Sequence, residues 1–309
     1  MANSYDSIYE KLTPALTQLE NKRLELKKKG TNAGLVAGGI CTLIGIIITV
    51  WTGGNSLGFY ISLILGVIIL VGCIHGQSKE LSRYYKKDII ATIISSLCEN
   101  SSFIPESGIS EQQFMSCGLF HTSPDRYHSE DMITGQVGKT VFACSEIVAE
   151  EKRVTTNSKG QRSEHWVDIF KGFFFIADFQ KDFQGQTVVY RNSWLKLNFK
   201  NQRVKLENPE FEKKFDVYST DQVEARYLLT PGMMEKLLEL DRKFPGKITL
   251  SFYNSNVIIA IPDNTDHFET SIWNSQLRNN SLKQEYNTLS ALFGITDDLN
   301  LNLRIWTKE

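Results

Sequence analysis

No aspartate, glutamate, lysine or arginine occurs between Gly30 and Ser78, although such residues make up 22% of the 309-residue chain. A charge-free interval of that length excludes an ordinary water-facing surface and directs attention to a bilayer. A second lack is a cysteine framework. The five cysteines are an odd number; Cys41 and Cys73 fall inside the apolar stretches and Cys98, Cys117 and Cys144 beyond them, so no disulfide scaffold is implied. A third is basic excess: the net charge of -1 gives no reason to expect nucleic acid as a partner. No HExxH, Ser-His-Asp or complete phosphate-loop spacing occurs either, so the sequence carries no enzyme signature, cofactor motif or metal motif.

Two apolar stretches fill the charge-free interval. Ala33–Trp51 reads AGLVAGGICTLIGIIITVW, which as a helix is roughly 28 Å long, close to a hydrocarbon core of about 30 Å. Gly58–His75, GFYISLILGVIILVGCIH, has nearly the same reach. The link TGGNSL is too short to cross a bilayer, so the spans are expected as an antiparallel hairpin. Lys22, Arg23, Lys27, Lys28 and Lys29 flank the first span, Lys79, Arg83, Lys86 and Lys87 the second, and the link has no basic residue. The positive-inside rule then puts both outer flanks, and both termini, in the cytoplasm of a multi-pass inner-membrane protein. The competing explanations fit less well. Buried helices of a soluble protein would make the span lengths and two-sided basic flanks a coincidence, and more than thirty residues precede the first span, which disfavours a cleaved signal peptide.

Outside the spans the helical period continues. Tyr5, Leu12, Leu19 and Leu26 recur every seven residues, and Leu81, Tyr85, Ile89, Ile93 and Leu97 form an i, i+4 row. Residues 1–32 and 76–98 are therefore expected as cytoplasmic amphipathic helices that pair as a short coiled-coil stalk or face other subunits. Pro14 either kinks the first helix or, with Thr13 as cap, marks its start. Small residues at Gly34 and Gly38, and at Gly58, Ser62 and Gly66, permit close helix contact, within the hairpin or in an oligomer.

Residues 99–309 read as an α+β domain of mainly antiparallel strands with covering helices. Strands are expected at Thr140–Glu150 and over HWVDIFKGFFFIADF, forming a long hairpin, then at Gln186–Arg191, Trp194–Phe199, Lys247–Tyr253 and Asn256–Ile261 with a turn at Asn254 and Ser255. Helices are expected after Thr230-Pro231 and over Ser281 to about Leu303. Phe173, Phe174 and Phe175 suit a strand covered on both faces. One domain is preferred to two lobes divided near Asn192.

GQVGKT at Gly135–Thr140 lacks the spacing of a phosphate loop and is expected as a tight β-turn. The densest chemical cluster is HTSPDRYHSED, which gathers His121, Asp125, Arg126, His128, Glu130 and Asp131. Imidazole and carboxylate suit several divalent ions, yet a polar surface loop is the simpler expectation. Cys117 with His121, or Cys144 with a distant histidine, could pair as nucleophile and base, although a buried cysteine is far commoner. His165 and His267 are isolated.

The run FDVYSTDQVEARYLLTPGMMEKLLEL at Phe215–Leu240, with DRYHSED, FKGFFFIADFQKDFQGQTVV, NPEFEKKF and the closing LNLRIW, resembles an uncharacterised bacterial family of two-helix membrane proteins. Its members are catalogued as a domain of unknown function, and some are labelled galanin. The resemblance spans almost the whole chain. It implies a bacterial cytoplasmic-membrane protein, often encoded near LemA-type membrane proteins, and supplies no catalytic residues. The expected function is a membrane-anchored binding or scaffold module whose partners are the lipid bilayer and a second copy or another membrane protein such as a LemA-type protein. The alternative is a tethered hydrolase using the His121–Asp131 cluster.

Overall fold

The computed structural model describes residues 5–53, 57–158, 160–179, 181, 183–192, 201–244, 248–275, 277, 281–299 and 301. The chain is α+β and divides into two compact units. The first comprises residues 1–96 and 266–287, the second 97–265 and 288–309.

In the first unit, α1 (Tyr5–Trp51) and α2 (Leu57–Tyr84) are long antiparallel helices, both apolar enough to cross a membrane. Pro14 lies inside α1, while the hydroxyls of Thr13 and Thr17 donate to the carbonyls of Tyr9 and Thr13. The glycines explain how the helices approach. A Cβ on Gly34 would lie 2.5 Å from the Leu70 side chain, one on Gly38 would lie 3.1 Å from the Gly66 carbonyl oxygen, and one on Gly45 would collide with Ser62. Successive steps along α1 meet successive steps back along α2. The small residues thus serve the internal hairpin, where close backbone approach lets dispersion accumulate.

Beyond the apolar spans the helices stay paired. Ile8, Leu12, Leu16, Leu19 and Leu26 of α1 are buried, as are Leu81, Tyr85, Ile89, Ile90, Ile93 and Ile94 opposite. A π-helical turn, Tyr85–Ile90, joins α2 to α3 (Ala91–Leu97). It accounts for the i, i+4 row. In a regular 3.6-residue helix each such step drifts about 40° around the axis, and one wider turn offsets part of that drift.

The second unit is built on one nine-stranded sheet in the order β1-β2-β3-β4-β9-β8-β5-β7-β6. Its strands are β1 (Ser101–Ile104), β2 (Arg126–Val137), β3 (Thr140–Thr156), β4 (Arg162–Asp178), β5 (Thr187–Arg191), β6 (Gln202–Val204), β7 (Phe215–Ser219), β8 (Thr249–Tyr253) and β9 (Asn256–Pro262). The pairings are antiparallel. Strands on both sides of Asn192 belong to this sheet. The expected strand at 194–199 lies outside the described residues. The turns follow the sequence: Gly138 of GQVGKT (φ +59°) closes β2 onto β3, and Asn254 and Ser255, both at positive φ, close β8 onto β9.

The β3–β4 hairpin is longer than expected. Pairing continues from Glu150↔Asp168 to Thr156↔Arg162, because two strands can satisfy each other's backbone where the side chains on both faces are polar. One face of the sheet carries Phe174 against Phe114 and Phe170, with α4 (Glu111–Ser116) supplying Phe114. Elsewhere Phe175 stacks on Phe142, which also meets Phe293. Phe173, Phe174 and Phe175 are all buried, as a strand covered on both faces requires.

The remaining helices are α5 (Pro209–Lys214), α6 (Gln222–Leu228), α7 (Pro231–Lys243) and α8 (Ser281–Asp298). Thr230 caps α7 by accepting from the Met233 amide, with Pro231 in the first turn. α8 stops short of Leu303: Asp297 and Asp298 oppose its dipole, and the amides of Leu299 and Leu301 donate to Ile295 and Thr296. The unit boundary falls within α8.

Gly38→Leu is expected to force the hairpin apart and cost about 2–3 kcal/mol, the upper range for overpacking. Gly39→Leu is its control, since nothing lies within 4 Å of a Cβ there. Thermal unfolding in detergent should show a lower midpoint for the first variant alone.

Candidate functional site

The six residues of the polar cluster are spread along the start of β2 and the loop before it. The Asp125 carboxylate accepts from the Lys152 amide at 2.7 Å. Arg126 stacks on the Trp166 ring at 3.5 Å and lies 4.0 Å from Glu150. His128 is exposed and 3.5 Å from Glu130. Asp131 is buried at a β-bulge with φ +57°, its amide donating to the Pro105 carbonyl. His121 is exposed. The alternation of the strand turns Arg126, His128 and Glu130 one way, and the bulge then reverses the sense at Asp131. Among the described residues no group of three His, Cys, Asp or Glu side chains is placed to hold a metal ion.

The thiols are shut away. Cys117 is fully buried and donates to the Phe114 carbonyl; burial pushes its thiol up to about 12. Burial, with Glu146 nearby, also raises Cys144. A nucleophilic cysteine needs the opposite environment.

A second polar assembly is one that the local sequence does not announce. It forms in the first unit, where residues 266–287 return to the stalk. Lys86, buried on the inner face of the π-helical turn, pairs with Glu269 at 2.9 Å. The Ser82 hydroxyl donates to the same carboxylate at 2.5 Å and accepts from the Thr270 amide at 3.5 Å. Arg23 is held twice by Glu20, at 2.9 and 2.7 Å, and donates its remaining terminal nitrogen to the Ile272 carbonyl at 2.8 Å. Donation to the Glu20 carboxylate raises the Arg23 pKa against the opposing effect of burial. His267 contacts Glu285 at 3.1 Å, and Glu285 also accepts from the Phe268 amide at 3.2 Å. Burial foremost, then the charge of Glu285, raises the Tyr85 phenol. Phe268 is buried at φ +59°, a conformation that costs of order 1–3 kcal/mol unless its surroundings fix it.

The Ser82–Glu269 and Arg23–Ile272 contacts bridge 187 and 249 residues of sequence, which is why no window reveals them. One signal was present. Arg23 interrupts the apolar stripe between Leu19 and Leu26, and a charge in such a stripe requires a partner. Chemically the assembly is a joint: its cations and carboxylates answer one another, and it fixes a loop on the stalk.

Residues 168–301 match a family described as "Protein of unknown function (DUF3137)", so this part of the chain is an uncharacterised domain. The chain is also similar to a solved structure described as "crystal structure of the mycobacterial trehalose monomycolate transport factor A, TtfA". The two share 12% identity and a TM-score of 0.37, with 68% of this chain and 94% of that chain covered. A likeness of this degree carries no functional argument. No curated protein matches the sequence.

Glu269→Gln is expected to destabilise the stalk by about 2–3 kcal/mol, below the full cost of breaking a buried pair because Glu269 is 39% exposed. Adding Lys86→Met should recover most of the loss in thermal unfolding. For the thiols, alkylation of Cys117 at pH 8 should be about a thousandfold slower in the native protein than after denaturation, as its small thiolate fraction requires, and Cys144 should also be slowed. Peptide mapping after iodoacetamide treatment measures both.

Proposed function

We propose that this chain is a membrane-anchored binding or scaffold protein, held in a bacterial inner membrane by the α1–α2 hairpin with its sheet unit on the cytoplasmic side. The observation that carries the reading is the outer surface of the hairpin. From Leu35 to Val71 it exposes leucine, isoleucine and valine almost continuously, with Ile47 67% and Val50 76% accessible, and it has no charge. In water such a band is an aggregation site; in a bilayer it is the solvent-matched surface. Trp51 and Tyr60, both exposed at the closed end, suit a headgroup layer.

The orientation rests on charge. Lys28, Lys29, Lys79, Arg83 and Lys87 are exposed just outside the open end, and the connecting loop has no basic residue. A binding role is favoured over chemistry by the sealed thiols of Cys117 and Cys144 and by the strand cluster, where Asp131 is buried at the bulge while His128 is exposed. Partners of this reading are the bilayer and either a second copy of the chain or another membrane protein, with LemA-type proteins as one family to try.

Ser56→Cys tests the topology: in intact cells a membrane-impermeant maleimide should label it from outside, and labelling only after the cytoplasm is opened would overturn the orientation. For the binding role, cross-linking in native membranes followed by purification of the tagged chain should retain a stoichiometric second copy or membrane protein. Recovery of the bare monomer would reject it.

A further inference from the structure

The course of the returning segment gives it a direction. Glu269 meets Lys86 and Ser82, Thr270 meets Ser82, Ile272 meets Arg23, and Trp273 meets Lys27, whose Nζ lies 4.7 Å from the ring centre. Ser82 belongs to the level of α1 around Lys22, because Lys22 lies 4.0 Å from Glu80. Each step therefore climbs the stalk toward the apolar band. The chain then turns back, and α8 brings Glu285 to His267 and Tyr286 against Tyr5. Trp273 marks the end of this climb nearest the apolar band among the described residues.

What the apex presents is unusual for a water-facing loop. Ile272 is buried and anchors it, the Ser271 hydroxyl accepts from the Trp273 amide at 3.2 Å, and the Asn274 amide donates to the Ser271 carbonyl at 3.3 Å. Trp273 on this fixed turn is 56% exposed, and Leu277 beyond it is 39% exposed. Lys27 lies six residues before Ala33, which is about 9 Å along the helix axis. A headgroup layer extends roughly 5–8 Å beyond the hydrocarbon core on each side, and an indole ring spans the remainder. Lys28 and Lys29, which follow Lys27 directly on α1, are exposed, as is Lys79 on the neighbouring helix.

We propose that Trp273 and Leu277, with Lys27, Lys28, Lys29 and Lys79, form an interfacial site for anionic phospholipid headgroups. The indole and leucine enter the headgroup layer and the ammonium groups meet the phosphates. The inference rests on the membrane reading above and deepens it: the lipid contact is completed by a segment about two hundred residues downstream of the spans. Continuity with the lipid-facing band and charge complementarity identify the occupant as the bilayer surface. An aromatic ring suits that layer because its body is apolar and its N–H is polar.

The test uses the full chain in phosphatidylcholine vesicles, with and without phosphatidylglycerol, containing lipid brominated near the glycerol ester. Comparison of wild type with Trp273→Phe isolates the Trp273 emission, and Trp51→Phe isolates Trp51 as an independent report of hairpin insertion. The Trp273 emission is expected to fall by about half in brominated lipid, as for a ring at headgroup depth. Phosphatidylglycerol should deepen the quenching about twofold, and Lys28→Gln with Lys29→Gln should abolish that increment. If Trp51 is quenched and Trp273 is not, the headgroup site is wrong while the anchor stands. If neither is quenched, both readings fall. Protection of Trp273 from aqueous iodide without quenching by bromine would mean that protein covers it, which also rejects the site. Equal quenching with and without phosphatidylglycerol rejects its anionic preference.

Discussion

Two helices that touch backbone to backbone must remain paired wherever their sequences next lead. At Gly38 and Gly66 there is no side chain between them, and this contact fixes the rotation and register of everything that emerges from the apolar band. It sets Leu26, Leu19 and Leu12 inward against Leu81, Tyr85 and Ile89. It also gives the returning segment a defined surface, with Arg23 on one helix and Ser82 and Lys86 on the other. A hairpin of looser helices would leave those polar groups at variable separations, and the 2.5–2.9 Å contacts to Glu269 and Ile272 would have no fixed frame.

The stalk shows how a polar joint is built on an apolar seam. The π-helical turn keeps the i, i+4 row on one side, and in doing so it turns Lys86 inward beside Tyr85. A buried ammonium is tolerated only with a carboxylate to hand, and Glu269 supplies it from the far end of the chain. Arg23 follows the same logic with Glu20 as its near partner and a backbone carbonyl as its distant one. Specificity of docking, more than net stability, is what such pairs provide.

Much of this was legible in the sequence because it depends on local period and composition. The apolar spans, the stripes on either side of them, the β3–β4 hairpin, the Asn254-Ser255 turn and the Thr230-Pro231 helix start each follow from a few adjacent residues. Where expectation and structure part, the deciding contacts are distant. The outer half of the β3–β4 hairpin looks like loop because its side chains are polar, and only cross-strand pairing makes it strand. The cluster from His121 to Asp131 looks dense in one dimension, but strand alternation and a bulge disperse it. His267 looks isolated until Glu285 arrives on a helix, and Trp273 has no local mark that ties it to Lys27.

The first unit is discontinuous in the chain, and that has a consequence in time. During synthesis the two long apolar helices emerge early, while the sheet is still unmade. Their joint with residues 266–287 cannot close until roughly two hundred further residues have been added, about 10–40 seconds at ordinary rates of elongation. For that interval the inward faces of Arg23, Ser82 and Lys86 are open to water, and the nascent stalk is a different surface from the finished one. Completion of the helical unit is thereby tied to completion of the domain that precedes its last segment, so a chain that stalls within the sheet carries a paired helical hairpin with an open joint.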